Sequence, residues 1–226
     1  MKVFAIRAEP ALGATVETGI GYGLEIEGYP LSRVDPVLWE TPPVEDFDGL
    51  LVGSANAFRH GGPALSQYER LPVLAVGETT AAIANMHGFT VEKTGDGGLQ
   101  QLLDGLDGTP RRLLRLTGER NVDVVPPEGI EIAECVVYRT IEVPIDEEFA
   151  AKLAHKSLIL LYSAGAAAHF AQECDRLAIH RGKLSVAAFG PRILDAAGGG
   201  WGDARYAEEP NENALLALAR EMCHEM

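Results

Sequence analysis

The stretch LILLYSAGAAAHF, Leu158 to Phe170, passes without interruption from an apolar run through a serine into an alanine-rich segment. Apolar at successive positions, Leu158–Tyr162 reads as a parallel strand covered on both faces. Ser163 stands where a helix N-cap is expected. GLLVGSANAFRH (Gly49–His60) repeats this grammar in the first half of the chain. The runs Val3–Ile6, Val73–Val76, Leu113–Leu116 and Val186–Phe189 supply further strands, each short and followed by a turn or helical stretch, so the fold class is α/β with parallel sheets.

The repetition extends further along the chain. PVLAVGETTAAIANMHG (Pro72–Gly88) matches LSVAAFGPRILDAAGGG (Leu184–Gly200), and each copy leads to an amphipathic helix, Leu99–Leu106 and Ala214–Met222. The nearly constant offset of roughly 110 residues points to a duplicated α/β unit and two similar domains. Between the copies, AECVVYRTIEVP (Ala133–Pro144) suits a strand crossing between bodies. YPLSRVDPVLWE (Tyr29–Glu40) has similar character but carries Pro30 and Pro36, which confines it to an edge. The two segments could pair as a two-stranded antiparallel ladder.

Composition narrows the function classes. The 226 residues are 46% hydrophobic and 23% charged, as in ordinary globular proteins. A formal net charge of −14 repels phosphate backbones and argues against nucleic acid or anionic membrane as partner. The opening MKVFAIRAEP has no apolar run long enough for a signal segment or span, so a cytoplasmic protein is expected. Cys135, Cys174 and Cys223 lack paired spacing and read as reduced thiols. The six histidines show no HExxH spacing, and Gly95–Gly98 and Gly198–Gly202 fit neither GxGxxG nor a P-loop, so neither metal nor nucleotide is inferred.

Arg7 with Pro10, GSANAF (Gly53–Phe58), AVGETTA (Ala75–Ala81), VVYRT (Val136–Thr140), YSAGA (Tyr162–Ala166) and FGP (Phe189–Pro191) occur in an order that resembles the uroporphyrinogen-III synthase family. The resemblance implies a discontinuous domain, residues 1–33 plus 142–226, and an inserted domain, 36–138. Linker strands 29–40 and 133–144 would join them, with the active cleft between. It also implies a monomeric, cofactor-free hydro-lyase that receives hydroxymethylbilane, a linear tetrapyrrole, by transient hand-over from hydroxymethylbilane synthase. The substrate would lose its hydroxyl to give an azafulvene. Its last pyrrole, ring D, would then invert through a spiro intermediate to yield uroporphyrinogen III.

Such a polycarboxylate needs local donors, and helix N-termini present amides without intrahelical acceptors. Four strand-to-helix turns supply them: Gly53, Ser54 and Ala55; Thr79 and Thr80; Ser163, Ala164 and Gly165; Pro191 and Arg192. The plainer reading of Ser54, Thr79, Thr80 and Ser163 is helix capping alone. Arg7 and Arg120 are candidate carboxylate partners through planar guanidinium contacts. On the resemblance, Tyr138 faces the cleft and donates a hydrogen bond to the departing hydroxyl; without it, Tyr138 would read as interdomain packing. Where the family carries hydroxyl residues after its Gly-Pro, this chain has Arg192 and Ile193, so a threonine contact is missing and Arg192 offers a cation instead. The rival readings are a nucleotide-dependent transferase and a two-domain protein closing on a small anion.

Overall fold

The computed structural model describes residues 1–106 and 108–225. Its strands in chain order are β1 (Lys2–Ala5), β2 (Ile26–Gly28), β3 (Ser32–Pro36), β4 (Gly49–Val52), β5 (Val73–Val76), β6 (Val91–Gly95), β7 (Arg111–Gly118), β8 (Ile130–Glu142), β9 (Ser157–Leu161), β10 (Leu184–Ala188) and β11 (Asp203–Tyr206). The helices are α1 (Ala11–Gly21), α2 (Asn56–His60), α3 (Glu78–Met86), α4 (Leu99–Asp104), α5 (Glu147–Leu153), α6 (Ala164–Arg176), α7 (Pro191–Ala197) and α8 (Glu212–Glu225). The chain divides into one unit of Met1–Arg33 with Ile141–Met226 and a second of Val34–Thr140.

In the first unit five strands lie in the order β11-β10-β9-β1-β2, with each neighbouring pair parallel. Period-two alternation sends the two faces of each strand to different cores. Leu158 and Leu160 of β9 pack with Leu215, Leu216 and Met222 of α8 on one face. Ile159 and Leu161 pack with Phe149 of α5 and Phe170 of α6 on the other. This double covering is why β9 carries no polar residue after Ser157.

The second unit has a six-stranded sheet, β3-β8-β7-β4-β5-β6. Leaving β3 aside, its order β8-β7-β4-β5-β6 is that of β2-β1-β9-β10-β11, so β4 corresponds to β9 and β5 to β10. The chain enters the two frames at different strands: the first unit begins with the counterparts of β7 and β8, which the second reaches last. The two faces are again covered, by a core containing Phe58, Tyr68 and Ala84 and by one containing Leu99, Leu102 and Leu103.

The antiparallel pairing of β3 with β8 follows from two backbone bonds, Val37 N–H to Val137 O at 3.0 Å and Val143 N–H to Leu31 O at 2.9 Å. The crossing strand is no isolated ladder, however. From Ile130 to Tyr138, β8 also pairs in parallel with β7 and is part of the second unit's sheet. β3, which ends in Pro36, takes the edge. The three cysteines are free thiols, with Cys174 buried and Cys135 and Cys223 half-buried.

Candidate active site

Strands β9 and β10 end side by side, and the turns beyond them place two helix starts at one pocket of about 350 Å³. Ser163, Ala164, Pro191 and Arg192 line it with Phe189, Gly190, Ile193 and Pro210. Ser163 is extended, its Oγ accepting from the Ala166 amide at 3.2 Å and its carbonyl from the Ala167 amide at 3.0 Å. Among the described residues this leaves the Ala164 and Gly165 amides without an acceptor. The Gly190 carbonyl takes the Ile193 and Leu194 amides at 3.1 and 3.2 Å. Pro191 has no N–H, and among the described residues the Arg192 amide has no acceptor; the Arg192 side chain is exposed. Ile193 packs partly against the core and gives this pocket an apolar wall.

Beside that pocket Arg7 is already engaged. Its Nη1 donates to Glu212 Oε2 at 3.1 Å and to Thr15 Oγ1 at 3.2 Å. Its guanidinium carbon lies 4.1 Å from the Tyr162 ring centroid. Glu212 Oε1 accepts from Thr15 Oγ1 and from the Tyr162 hydroxyl, both at 2.8 Å. Burial, with the Glu212 carboxylate adding to it, raises the Tyr162 phenol well above its ordinary range, so it stays a neutral donor. A ligand carboxylate that reached Arg7 Nη1 would compete with Glu212 for it.

In the second unit the equivalent turns differ. Ser54 Oγ accepts from the Asn56 amide at 3.3 Å, a local bond, while Ala55 is buried at 6% exposure. Gly53 is exposed, and a Cβ there would meet Leu99 Cδ1 at 3.0 Å, so the small residue serves helix packing. Helix α3 is capped by Gly77, whose φ of 78° favours glycine. Thr79 is exposed, but Thr80 is buried in the unit and its amide is bound to the Gly77 carbonyl at 3.1 Å. The spare amides of this turn are therefore those of Glu78 and Thr79.

Arg120 follows the end of β7 by two residues, as Arg7 follows β1. Its loop is fastened from below. Buried Arg115 donates to Glu134 Oε1 at 2.6 Å and to the Val122 carbonyl at 2.7 Å. Gln100 exchanges two bonds with Val125, at 2.8 and 2.9 Å. Tyr138 lies on β8 opposite Gly118, half-buried against the Phe58 core. Among the described residues its hydroxyl has no hydrogen-bond partner, unlike those of Tyr68 and Tyr162.

A family profile, uroporphyrinogen-III synthase HemD, matches residues 15–217 of the chain. The chain belongs to the uroporphyrinogen-III synthase family. A uroporphyrinogen-III synthetase from Helicobacter pylori has the same fold at 18% identity, TM-score 0.67, over 98% of this chain and 99% of that one. A mutant uroporphyrinogen III synthase from the extremely thermophilic bacterium Thermus thermophilus matches at 15% identity, TM-score 0.52, over the whole of both chains. No curated protein matches by sequence. The activity is the family's: a hydro-lyase of tetrapyrrole biosynthesis closes hydroxymethylbilane with loss of water and inversion of ring D. The transferase and anion-binding readings are not favoured. No helix among the described residues is long and apolar enough to cross a membrane.

Sequence reasoning missed three polar residues of the network around Arg7. Tyr162 stood inside the YSAGA motif, immediately before the serine that drew attention. Thr15 and Glu212 are 197 residues apart and carried no signal, because nothing in either segment reveals that they share a hydrogen bond.

Proposed function

We propose that the spare amides at Ala164, Gly165 and Arg192 in the first unit, and at Glu78 and Thr79 in the second, hold the substrate's carboxylates. Arg7, Arg120 and Arg192 add charge, and Tyr138 donates to the departing hydroxyl. The observation carrying this reading is the convergence of Ser163, Ala164, Pro191 and Arg192 on one pocket. A polyanion must bind a chain of net charge −14, and one helix end contributes only about 0.3–1 kcal/mol, so several have to act together.

The reaction is redox-neutral: a hydroxyl leaves as water and carbon–carbon bonds are exchanged, so no electron acceptor is required. What the protein supplies is conformation. Both closures are intramolecular, so holding the chain in the geometry of the inverting closure is what favours it over the spontaneous one. Tyr138 adds a hydrogen bond as carbon–oxygen cleavage develops negative charge on the leaving oxygen. We further propose that the enzyme works as a cytoplasmic monomer that takes its labile substrate from hydroxymethylbilane synthase, with 1–33 plus 142–226 and 36–138 as its domains.

Coupling the protein to a porphobilinogen deaminase and separating the oxidised I and III isomers tests the reading. The wild type should give isomer III. Gly190 lines the pocket, and a Cβ there meets nothing within 4 Å with φ at −178°, so Gly190→Trp introduces an indole at that site from an unstrained backbone. That variant should shift the product toward isomer I; undiminished isomer III from a folded Gly190→Trp would remove the pocket from the site.

A further inference from the structure

The pairing of β7 with β8 slips by one residue at the point where it reaches Tyr138. Thr117 stands opposite Val136, but Gly118 stands opposite Tyr138, leaving Val137 as an extra residue. Up to the slip, the alternation is regular. Even positions Ile130 and Ile132 contact the core under α4, and odd positions Ala133 and Cys135 contact the opposite core, which contains Phe58. Beyond it, Tyr138, an even position, packs against the Phe58 core. An inserted residue in a ladder re-aims the side chains that follow, and here it turns Tyr138 to the face its parity would deny it.

On that face the ring rests on Gly118. A Cβ built on Gly118 would lie 2.6 Å from Tyr138 Cε2, 2.7 Å from Cζ and 3.1 Å from the hydroxyl oxygen, with nothing else as close. The backbone of Gly118 does not lie in the left-handed region, so no turn geometry demands glycine there. Its missing side chain has one evident use, to leave room for the tyrosine. The Glu119 amide donates to the Tyr138 carbonyl at 3.0 Å, and Asn121 Nδ2 to the Gly118 carbonyl at 3.3 Å, which hold both residues in register.

We infer that Gly118, together with the bulge at Val137, is a positioning element for the Tyr138 hydroxyl. This rests on the proposed role of Tyr138. A Cβ at Gly118 meets the far end of a side chain and not backbone, so the ring can swing aside and the fold survive while the hydroxyl leaves its place.

Four enzymes test this: wild type, Tyr138→Phe, Gly118→Ala and the double variant. The isomer-resolved assay and thermal unfolding are run on each. Tyr138→Phe should lower kcat by about 100-fold or more. Gly118→Ala should lower kcat at least tenfold with KM little changed and should remain folded; adding it to Tyr138→Phe should change little. Labelling with 3-fluorotyrosine gives an independent readout, since the resonance absent from Tyr138→Phe should move in Gly118→Ala while the others stay.

Wild-type turnover by Gly118→Ala, an unmoved resonance, or effects that multiply in the double variant would each overturn the positioning role and leave Tyr138 its own. Loss of folding in Gly118→Ala would overturn it too, by showing that the Cβ meets more than a movable ring. Wild-type turnover by Tyr138→Phe would remove the catalytic reading itself, and the positioning inference with it.

Discussion

The two units share one five-strand frame and finish its ligand-side edge in different ways. In the first, β1 crosses to β2 through the helix α1, and the arginine beyond β1 is locked by Glu212, Thr15 and Tyr162. In the second, β7 crosses to β8 with no helix between, and the loop carrying Arg120 is tied down from beneath by buried Arg115 and by Gln100. One edge is a polar network anchored to neighbouring helices; the other is a strapped loop beside a bulged strand. The strand frame is common to both units, and the differences lie in the connections and helix starts that follow the strands.

The comparison breaks most severely at Arg115. Arg115→Met leaves the Val122 carbonyl and Glu134 without their donor, and should cost about 2–4 kcal/mol, discounted because Glu134 is partly exposed. Hydrogen exchange should show the loss in β7 and β8 while β9 and β10 keep their protection. Equal loss in both sheets would mean that the units unfold together.

The first unit has its own weak point, and it is acid-sensitive. Glu173 accepts from the Ile145 amide at 2.7 Å and pairs with Arg176, which holds its carboxyl down at about 2 from an ordinary 4.5. With the folded value depressed, the stabilisation is complete above pH 4.5 and disappears as pH falls toward 2. Glu173→Gln should lose about 1–3 kcal/mol at neutral pH, and its difference from wild type should close across that window in urea titrations. A gap independent of pH would show that packing and not charge is responsible.

A smaller change should sharpen the contrast between the two arginines. Glu212→Gln keeps acceptors for Thr15 and Tyr162 but removes the charge that occupies Arg7. Product affinity by calorimetry should then rise by up to about tenfold, or ~1.4 kcal/mol. Weaker binding would show that Glu212 orients Arg7 and does not compete for it. Smallest of all, Ser163→Ala should destabilise by about 1 kcal/mol as a lost cap, and Ser54→Ala by less, because the Ser54 bond is local and long. Thermal unfolding of the two variants would order them.

Much of this was legible in the chain itself. Runs that are apolar at every position, such as Leu50–Val52 and Leu158–Leu161, read as strands with both faces covered, and the serine after each of these two leads into a helix. The approximately constant offset between the copies gave the repeated frame, and the ordered short motifs gave the family. Side-chain direction within those motifs was not legible. Thr80 and Ala55 look like ligand-side residues in sequence but are buried, because a helix start turns successive positions through about 100° and only packing decides which faces inward. The joining strand looked like a separate ladder because its pairing with β7 depends on a neighbour 19 residues earlier. The lock on Arg7 comes from the other end of the chain, 205 residues away, and the slip that turns Tyr138 onto Gly118 is a mismatch between two strands. Periodicity along one segment determines the element and its apolar face. Register between segments decides which side chains meet, and that exists only once the chain has folded.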